Sequence, residues 1–207
     1  MQNYIQAYSI GEAWLQALKF VLKKGKIVED DKGTIIDIVP LFIEINNPSI
    51  TDKVIDKYGN KGDLDFLQKN FTDLSEIEEW GYSYAQRLYD YNGINQINEV
   101  IYKLTNNLTS KSATISLLKR EDDKKHKPCL TTLDFKIRDE KLIIHAFFRS
   151  QDVGNKMYGD AHEIVKLGRV INEKLKIENI NLLLSICSAH IYSVDLDKIR
   201  TIIDTGT

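Results

Sequence analysis

Apolar residues fall at helical spacing soon after the start of the chain, where Ala13, Trp14, Ala17, Leu18 and Val21 form one stripe. Ser9 followed by Glu12 reads as a capping box opening that helix, and Gly25 as its stop. The stretch EDDKGTIIDIVPLFIEINNP then reads as a charged turn followed by one or two strands rich in Ile and Val. Residues 49–79 show weak periodicity and predict loops and short helices. Beyond them Ile94, Ile97, Val100, Ile101 and Leu104 fit an amphipathic helix, and SATISLLK alternates as a strand does.

The second half of the chain is more regular. The run KREDDKKHK predicts a solvent loop. After it, CLTTLDFKIRDEKLIIHAFFRS reads as a strand, a turn at Asp139-Glu140 and a second strand. Leu133, Phe135 and Ile137 alternate with polar residues, whereas the second strand is apolar on both faces, which predicts a covered sheet. A helix packed on that sheet follows from Asp160, with Ala161, Ile164, Val165, Gly168 and Ile171 on its inner side. NLLLSICSAHIY is a buried strand whose end turns polar.

Polar residues at the ends of these apolar elements are the candidates for chemistry. Cys129 opens a strand just after a basic loop, and Arg149-Ser150 closes the next one. A guanidinium fork beside a hydroxyl suits a phosphate. Asp160 reads as a helix N-cap, with Glu163 completing a capping box. His190 and Tyr192 end the last strand. Each also has a plainer reading as buried structural cysteine, cap or satisfied polar core, and Cys187, inside its apolar strand, keeps the structural one.

The composition narrows the field. A chain of 207 residues is most simply one domain, and 43% hydrophobic with 28% charged residues is ordinary for a globular protein. A net charge of −2 gives no support for nucleic-acid or membrane binding. No apolar run reaches the ~20 residues of a membrane span, and the N-terminus lacks the features of a secretory signal. Two cysteines without metal-ligand spacing predict no disulfide framework and no zinc site. A cytoplasmic protein with reduced thiols is expected.

The order Cys129, then Arg149-Ser150-x-Asp152, then Asp160 at a helix start, then His190-x-Tyr192 resembles the thymidylate synthase family. The likeness is greatest to its short archaeal-type members and to the related pyrimidine nucleotide hydroxymethylases. It implies an α+β fold with a large mixed β-sheet covered by helices, one sheet face used for dimerisation, and a single domain over residues 1–207. It implies folate-dependent one-carbon transfer to C5 of a pyrimidine nucleoside monophosphate, with 5,10-methylenetetrahydrofolate or a related tetrahydropterin as donor.

Such chemistry needs a thiolate, because C5 becomes nucleophilic only once sulfur has added at C6. The resemblance assigns that role to Cys129 and phosphate binding to Arg149 and Ser150. Lys32, in an acidic-basic-Gly-Thr turn, stands where the family has a phosphate-binding arginine. Lys111, within Ser110-Lys111-Ser112, stands where a partner subunit supplies arginines. Asp152 corresponds to a pterin contact, and His190 and Tyr192 to contacts with the sugar hydroxyl. Tyr84, in a Tyr-Ser-Tyr-Ala-Gln-Arg segment, would lie near the nucleophile, with aromatic core filler as the alternative.

At Asp160 the thymidylate synthases carry asparagine, while deoxycytidylate hydroxymethylases carry aspartate. A carboxylate accepts from the C4 amino group of cytosine, so the expected substrate is dCMP or CMP and the expected product hydroxymethylated. Methylation of dUMP is the alternative, and a nucleotide-binding relative without catalysis another. The family's catalytic glutamate has no clear counterpart, with Asp63, Asp65 and Glu79 as candidates. A cysteine hydrolase pairing Cys129 with His190 or His162 lacks a recognisable oxyanion or orienting motif.

Overall fold

The computed structural model describes residues 3–124 and 126–206. Residues 1, 2 and 207 of the expected domain, and Lys125 of the charged run, lie outside the described residues. The elements in order are β1 (Tyr4–Ala7), α1 (Ile10–Lys24), β2 (Lys26–Asp30), β3 (Gly33–Ile38), β4 (Leu41–Asn46), α2 (Lys53–Tyr58) and α3 (Lys61–Thr72). Then come α4 (Tyr84–Tyr89), α5 (Gln96–Asn106), β5 (Ala113–Ser116), β6 (Leu130–Arg138), β7 (Lys141–Phe148) and β8 (Gln151–Asp152). The chain closes with α6 (Met157–Leu175), β9 (Asn179–Ile186), β10 (Ala189–Tyr192) and α7 (Leu196–Thr205).

The expected α+β fold with a large mixed sheet is present. That sheet has six strands in the order β1-β4-β9-β7-β6-β5. β7 and β9 run parallel at its centre, while β4–β9, β6–β7 and β5–β6 are antiparallel. The turn joining β6 to β7 places Asp139 and Glu140 at φ 49° and 58°, the left-handed pair that a tight hairpin needs. A second sheet, not foreseen, has four strands in the order β2-β3-β10-β8. The Ile-rich stretch after the charged turn therefore splits: β3 enters the small sheet and β4 the large one.

Strand alternation decides which face is filled. Leu142, Ile144 and Ala146 of β7 and Ile180, Leu182 and Leu184 of β9 are buried, beneath helices that include α6 and α1. Gly168 lets α6 close on the sheet, since a Cβ there would lie 2.5 Å from Ile144 Cδ1. The opposite face carries Phe42, Ile143, Phe147 and Leu183 among Glu44, His145 and Ser185, and no element among the described residues covers it. The apolar residues on both faces of β7 thus mark a sheet covered on one side within this chain.

Two local expectations are corrected. Ser9 caps α1 by accepting from Glu12 N, but Glu12 returns its carboxylate to Tyr8 N rather than to Ser9, so the box is displaced by one residue. Cys187 lies just past β9 and is exposed, not inside a buried strand. No helix among the described residues is long and apolar enough to cross a membrane.

Candidate active site

A cleft of about 700 Å³ opens between the ends of β6, β7, β8 and β10 and a wall formed by α3 and residues 79–84. Cys129, Arg149, Ser150, Asp152, Asp160, His190, Tyr192, Tyr84 and Lys32 all line it. Lys111 does not: it is exposed between α5 and β5, away from the cleft of its own chain.

Cys129 precedes β6 and is half-buried. Its sulfur lies 3.5 Å from Ser150 Oγ and 3.8 Å from Arg149 Nη2. Arg149 is fixed by donating from Nε to Pro128 O (3.1 Å) and from Nη2 to Lys127 O (2.7 Å), and Nη1 donates to Ser150 Oγ (3.2 Å). Arginine and cysteine come to adjacent strand ends because Arg149 N donates to Cys129 O across the β6–β7 pair. Tyr84 is buried, and its hydroxyl accepts from Leu130 N at 3.1 Å. Burial pushes that phenol well above its ordinary range, with the Asp160 carboxylate adding to the effect, so it stays protonated.

Asp160 is not the helix cap. α6 begins three residues earlier, after Lys156, and no side chain caps it. Glu163 bonds instead to Lys166 and His162. Asp160 sits in the first turn of α6, 4% exposed. Its Oδ2 accepts from Gln151 Nε2 at 2.8 Å, and its Oδ1 has no partner. Burial raises its pKa from 3.8 to about 6, against the lowering effects of the Gln151 bond and the Lys156 charge. Asp152 is held by Asn155 N and Nδ2, and its carboxyl is raised, again chiefly by burial.

β10 delivers His190 and Tyr192, whose rings meet edge to face at 5.2 Å, and His190 Nδ1 has no hydrogen-bond partner. Lys32 reaches the cleft at the tip of the β2–β3 hairpin, where Gly33 turns at φ 119°. His162 bonds to Ile50 O and Glu163 and does not line the cleft, which removes it as a partner for Cys129.

The far wall was largely missed by sequence reasoning. Trp80 stacks on His126 at 5.2 Å and 8°, meets Phe66 edge-on at 5.5 Å, and receives Lys156 Nζ 5.3 Å from its ring centre. Tyr82 OH and His126 Nδ1 are 3.0 Å apart. His126 and Lys127 belong to the charged run, which is therefore not simply a solvent loop. Asp123, 4% exposed, takes Arg87 Nη2 at 2.8 Å and Lys119 N at 2.6 Å, and Arg87 lies over the Tyr82 ring. That buried pair ties the run to α4. Of the acidic candidates, Glu79 lines the cleft and is exposed, while Asp63 and Asp65 are not on it.

A half-buried thiol beside a guanidinium, with buried polar groups and a flat aromatic wall around one cleft, brings together the side chains that covalent thiol chemistry on a flat anionic ligand would need. The thymidylate synthase family model matches residues 46–206. A Methanosarcina mazei protein named "Putative thymidylate synthase" is 33% identical over 204 residues, covering 96% of this chain and 94% of that protein. Proteins of the same name from Methanocaldococcus jannaschii (30% identical, covering 93% of this chain and 91% of that protein) and Methanothermobacter marburgensis (24%, full length in both) are also similar. The chain belongs to the thymidylate synthase family. As a member it is a one-carbon transferase acting on a pyrimidine nucleotide.

Proposed function

We propose that this enzyme transfers a one-carbon unit to C5 of a cytosine nucleoside monophosphate, dCMP or CMP, and releases the hydroxymethyl product. The observation that carries the choice of base is Asp160. One of its oxygens is held by Gln151, and the other is buried, partnerless and on the same cleft as Cys129. An unpaired buried acceptor is costly unless a ligand donor completes it, and the C4 amino group of cytosine is such a donor. With its carboxyl near a pKa of 6, Asp160 also exchanges a proton with ring N3 readily near neutral pH.

In this reading the Cys129 sulfur bonds to C6 and the displaced electron pair makes C5 nucleophilic. C5 would then bond the one-carbon unit and lose its proton to a base in the cleft. The pair from that C–H bond would form the exocyclic double bond as the bond from the carbon to the donor's nitrogen breaks, the nitrogen keeping its pair and taking a proton. Hydroxide from water adds to the resulting exocyclic methylene as the thiolate leaves C6. Arg149 and Ser150 hold the phosphate with Lys32, while His190 and Tyr192 take the sugar. A methylene-bearing tetrahydrofolate or related tetrahydropterin supplies the carbon when bound. Trp80, Phe66 and His126 are the residues that would hold its flat ring, and the Asp152 carboxylate would accept from its ring N–H groups. Phe42 and Phe147 on the uncovered sheet face, 39% and 38% exposed, would be the centre of a two-fold dimer that brings Lys111 to the partner's phosphate.

A second reading, methylation of dUMP, is favoured by the name thymidylate synthase that the relatives carry. Mass spectrometry separates the two. The protein is incubated with dCMP, CMP or dUMP and methylenetetrahydrofolate. A mass gain of one hydroxymethyl group on a cytosine nucleotide is expected. Methylated dUMP with dihydrofolate formed, and no cytosine product, would overturn the cytosine assignment.

A further inference from the structure

Among the described residues, the buried side-chain atoms without a hydrogen-bond partner are Asn70 Nδ2, Asp160 Oδ1, His190 Nδ1 and Asn172 Oδ1. Asn70, Asp160 and His190 line the same cleft, whereas Asn172 does not. Asp160 and His190 are accounted for in the proposed function. Asn70 is not, and its isolation is severe: it is 2% exposed, on the inner side of α3. Leaving an amide donor unpaired in such a place costs about 1–3 kcal/mol, so a ligand or water acceptor is expected there.

The orientation of this amide is fixed by chemistry. Asn70 Oδ1 accepts from the backbone N–H of Tyr84 at 2.8 Å. A backbone N–H only donates, so the oxygen must face it and the NH2 group is left for the cleft. Asn70 therefore presents a donor that neither gains nor loses a proton at working pH.

Its place on the same cleft as Asp160 is also built in. Gly159, next to Asp160 on α6, meets α3 so closely that a Cβ would lie 2.4 Å from Leu67 Cδ1, one helical turn before Asn70. The two helices thus present a fixed donor and a fixed acceptor to one cleft. A pyrimidine ring edge has that complement, a donor beside an acceptor, in either base.

We infer that Asn70 is a substrate-positioning residue, donating from Nδ2 to a hydrogen-bond acceptor on the bound pyrimidine ring while its oxygen holds the start of α4. This rests on the nucleotide reading of the cleft and adds to it a contact from α3, which the sequence motifs do not touch. It also places an amide, not a carboxylate, at the buried polar position of that wall, where Asp63, Asp65 and Glu79 were the sequence candidates.

The test starts with calorimetric titration of the unmodified protein with dCMP, CMP and dUMP. If none binds, the nucleotide reading fails and this inference with it. If one binds, Asn70→Asp separates the roles, because its carboxylate still accepts from Tyr84 N–H but offers no donor. A folded N70D protein that binds the nucleotide at least about tenfold more weakly supports the inference, that being the discrimination a lost neutral hydrogen bond of ~1.4 kcal/mol gives. Affinity within twofold of the parent overturns it and leaves nucleotide binding standing.

Should N70D not fold, side-chain amide NMR on 15N-labelled native protein reads the same contact. Nucleotide addition is expected to shift the Asn70 NH2 resonances and slow their exchange, while deoxyribose 5-phosphate, which lacks the ring, leaves them in place. Resonances unmoved by nucleotide, or moved equally by the sugar phosphate, overturn the inference.

Discussion

On one side of the cleft, Cys129, Arg149, Ser150, Asp152, His190 and Tyr192 sit at or beside strand ends, held in register by the β6–β7 and β8–β10 pairings. On the other, Asn70, Trp80, Tyr82 and His126 come from a helix and two loops, and their fixity depends on side-chain contacts. Strand pairing repeats every residue, so a strand-end group inherits its position from the whole sheet. The loop wall has no such ladder and relies on a few anchors: the Arg87–Asp123 pair, the Asn70–Tyr84 bond and the stacked Trp80–His126 rings. One side should hence fail in chemistry when changed, the other in order.

The largest effect belongs to the strand side. Cys129→Ser keeps the size and the Ser150 neighbour but removes the nucleophile. Turnover should fall by roughly 10³-fold or more, while nucleotide affinity by calorimetry stays within a few-fold and the melting temperature is little changed. Residual turnover close to the parent's would remove Cys129 from the mechanism.

The loop side should respond in stability. Arg87 and Asp123 are 4% and 3% exposed at their side chains, and removing one partner leaves the other charge buried alone. Asp123→Ala should cost about 3 kcal/mol or more in urea denaturation. It should also raise the protease sensitivity of residues 119–127 and weaken nucleotide binding only through that loosening. A neutral result would mean the charged run is held by something other than Arg87.

This contrast explains how much could be read from the sequence. The strand-end residues carry local signals: an apolar run that turns polar marks where a strand meets a cleft, and Cys129, Arg149 and His190 all fall at such points. Residues 49–79 and the charged run carry none. α3 is a twelve-residue helix whose buried positions include the polar Asn70, which breaks the apolar stripe that periodicity looks for. KREDDKKHK looks solvated because its charges are frequent, yet Asp123 is buried, and only the pairing with Arg87, distant in sequence, could reveal that. The start of α6, three residues before Asp160, is hidden for a different reason: it opens with Met157 and Tyr158 buried against other elements and with no capping side chain to announce it.

Asp160 joins the two sides, being on a helix but held by Gln151 from β8, and its effect should depend on pH. The unfolded carboxyl titrates near 3.8 and the folded one near 6, so between these values the folded state holds the extra proton. Stability then falls as pH rises from about 4 to about 6 and stays lower above. Asp160→Asn removes this loss and keeps an acceptor for Gln151. The variant should match the parent near pH 3.5 and exceed it by about 3 kcal/mol at pH 7–8. Its substrate preference should move from cytosine toward uracil nucleotides. A constant stability difference across pH would mean that Asp160 is ionised in the fold as easily as outside it.

The smallest effect tests a residue that belongs to neither wall. Lys32 stands at the tip of the β2–β3 hairpin, exposed, on a hairpin joined to the fold through the pairing of β3 with β10 and the packing of β3 on α1. A flexible ammonium there adds attraction for a phosphate but no fixed fork. An exposed ion pair is worth about 0–1 kcal/mol and weakens with salt. Lys32→Ala should therefore raise KM about two- to fivefold at low ionic strength, leave kcat unchanged, and lose most of that difference at about 0.5 M salt. This is the pattern of uniform binding, equal in ground and transition states. A fall in kcat would show instead that the hairpin closes on the substrate during the reaction, and would move Lys32 from the rim of the cleft into its catalytic machinery.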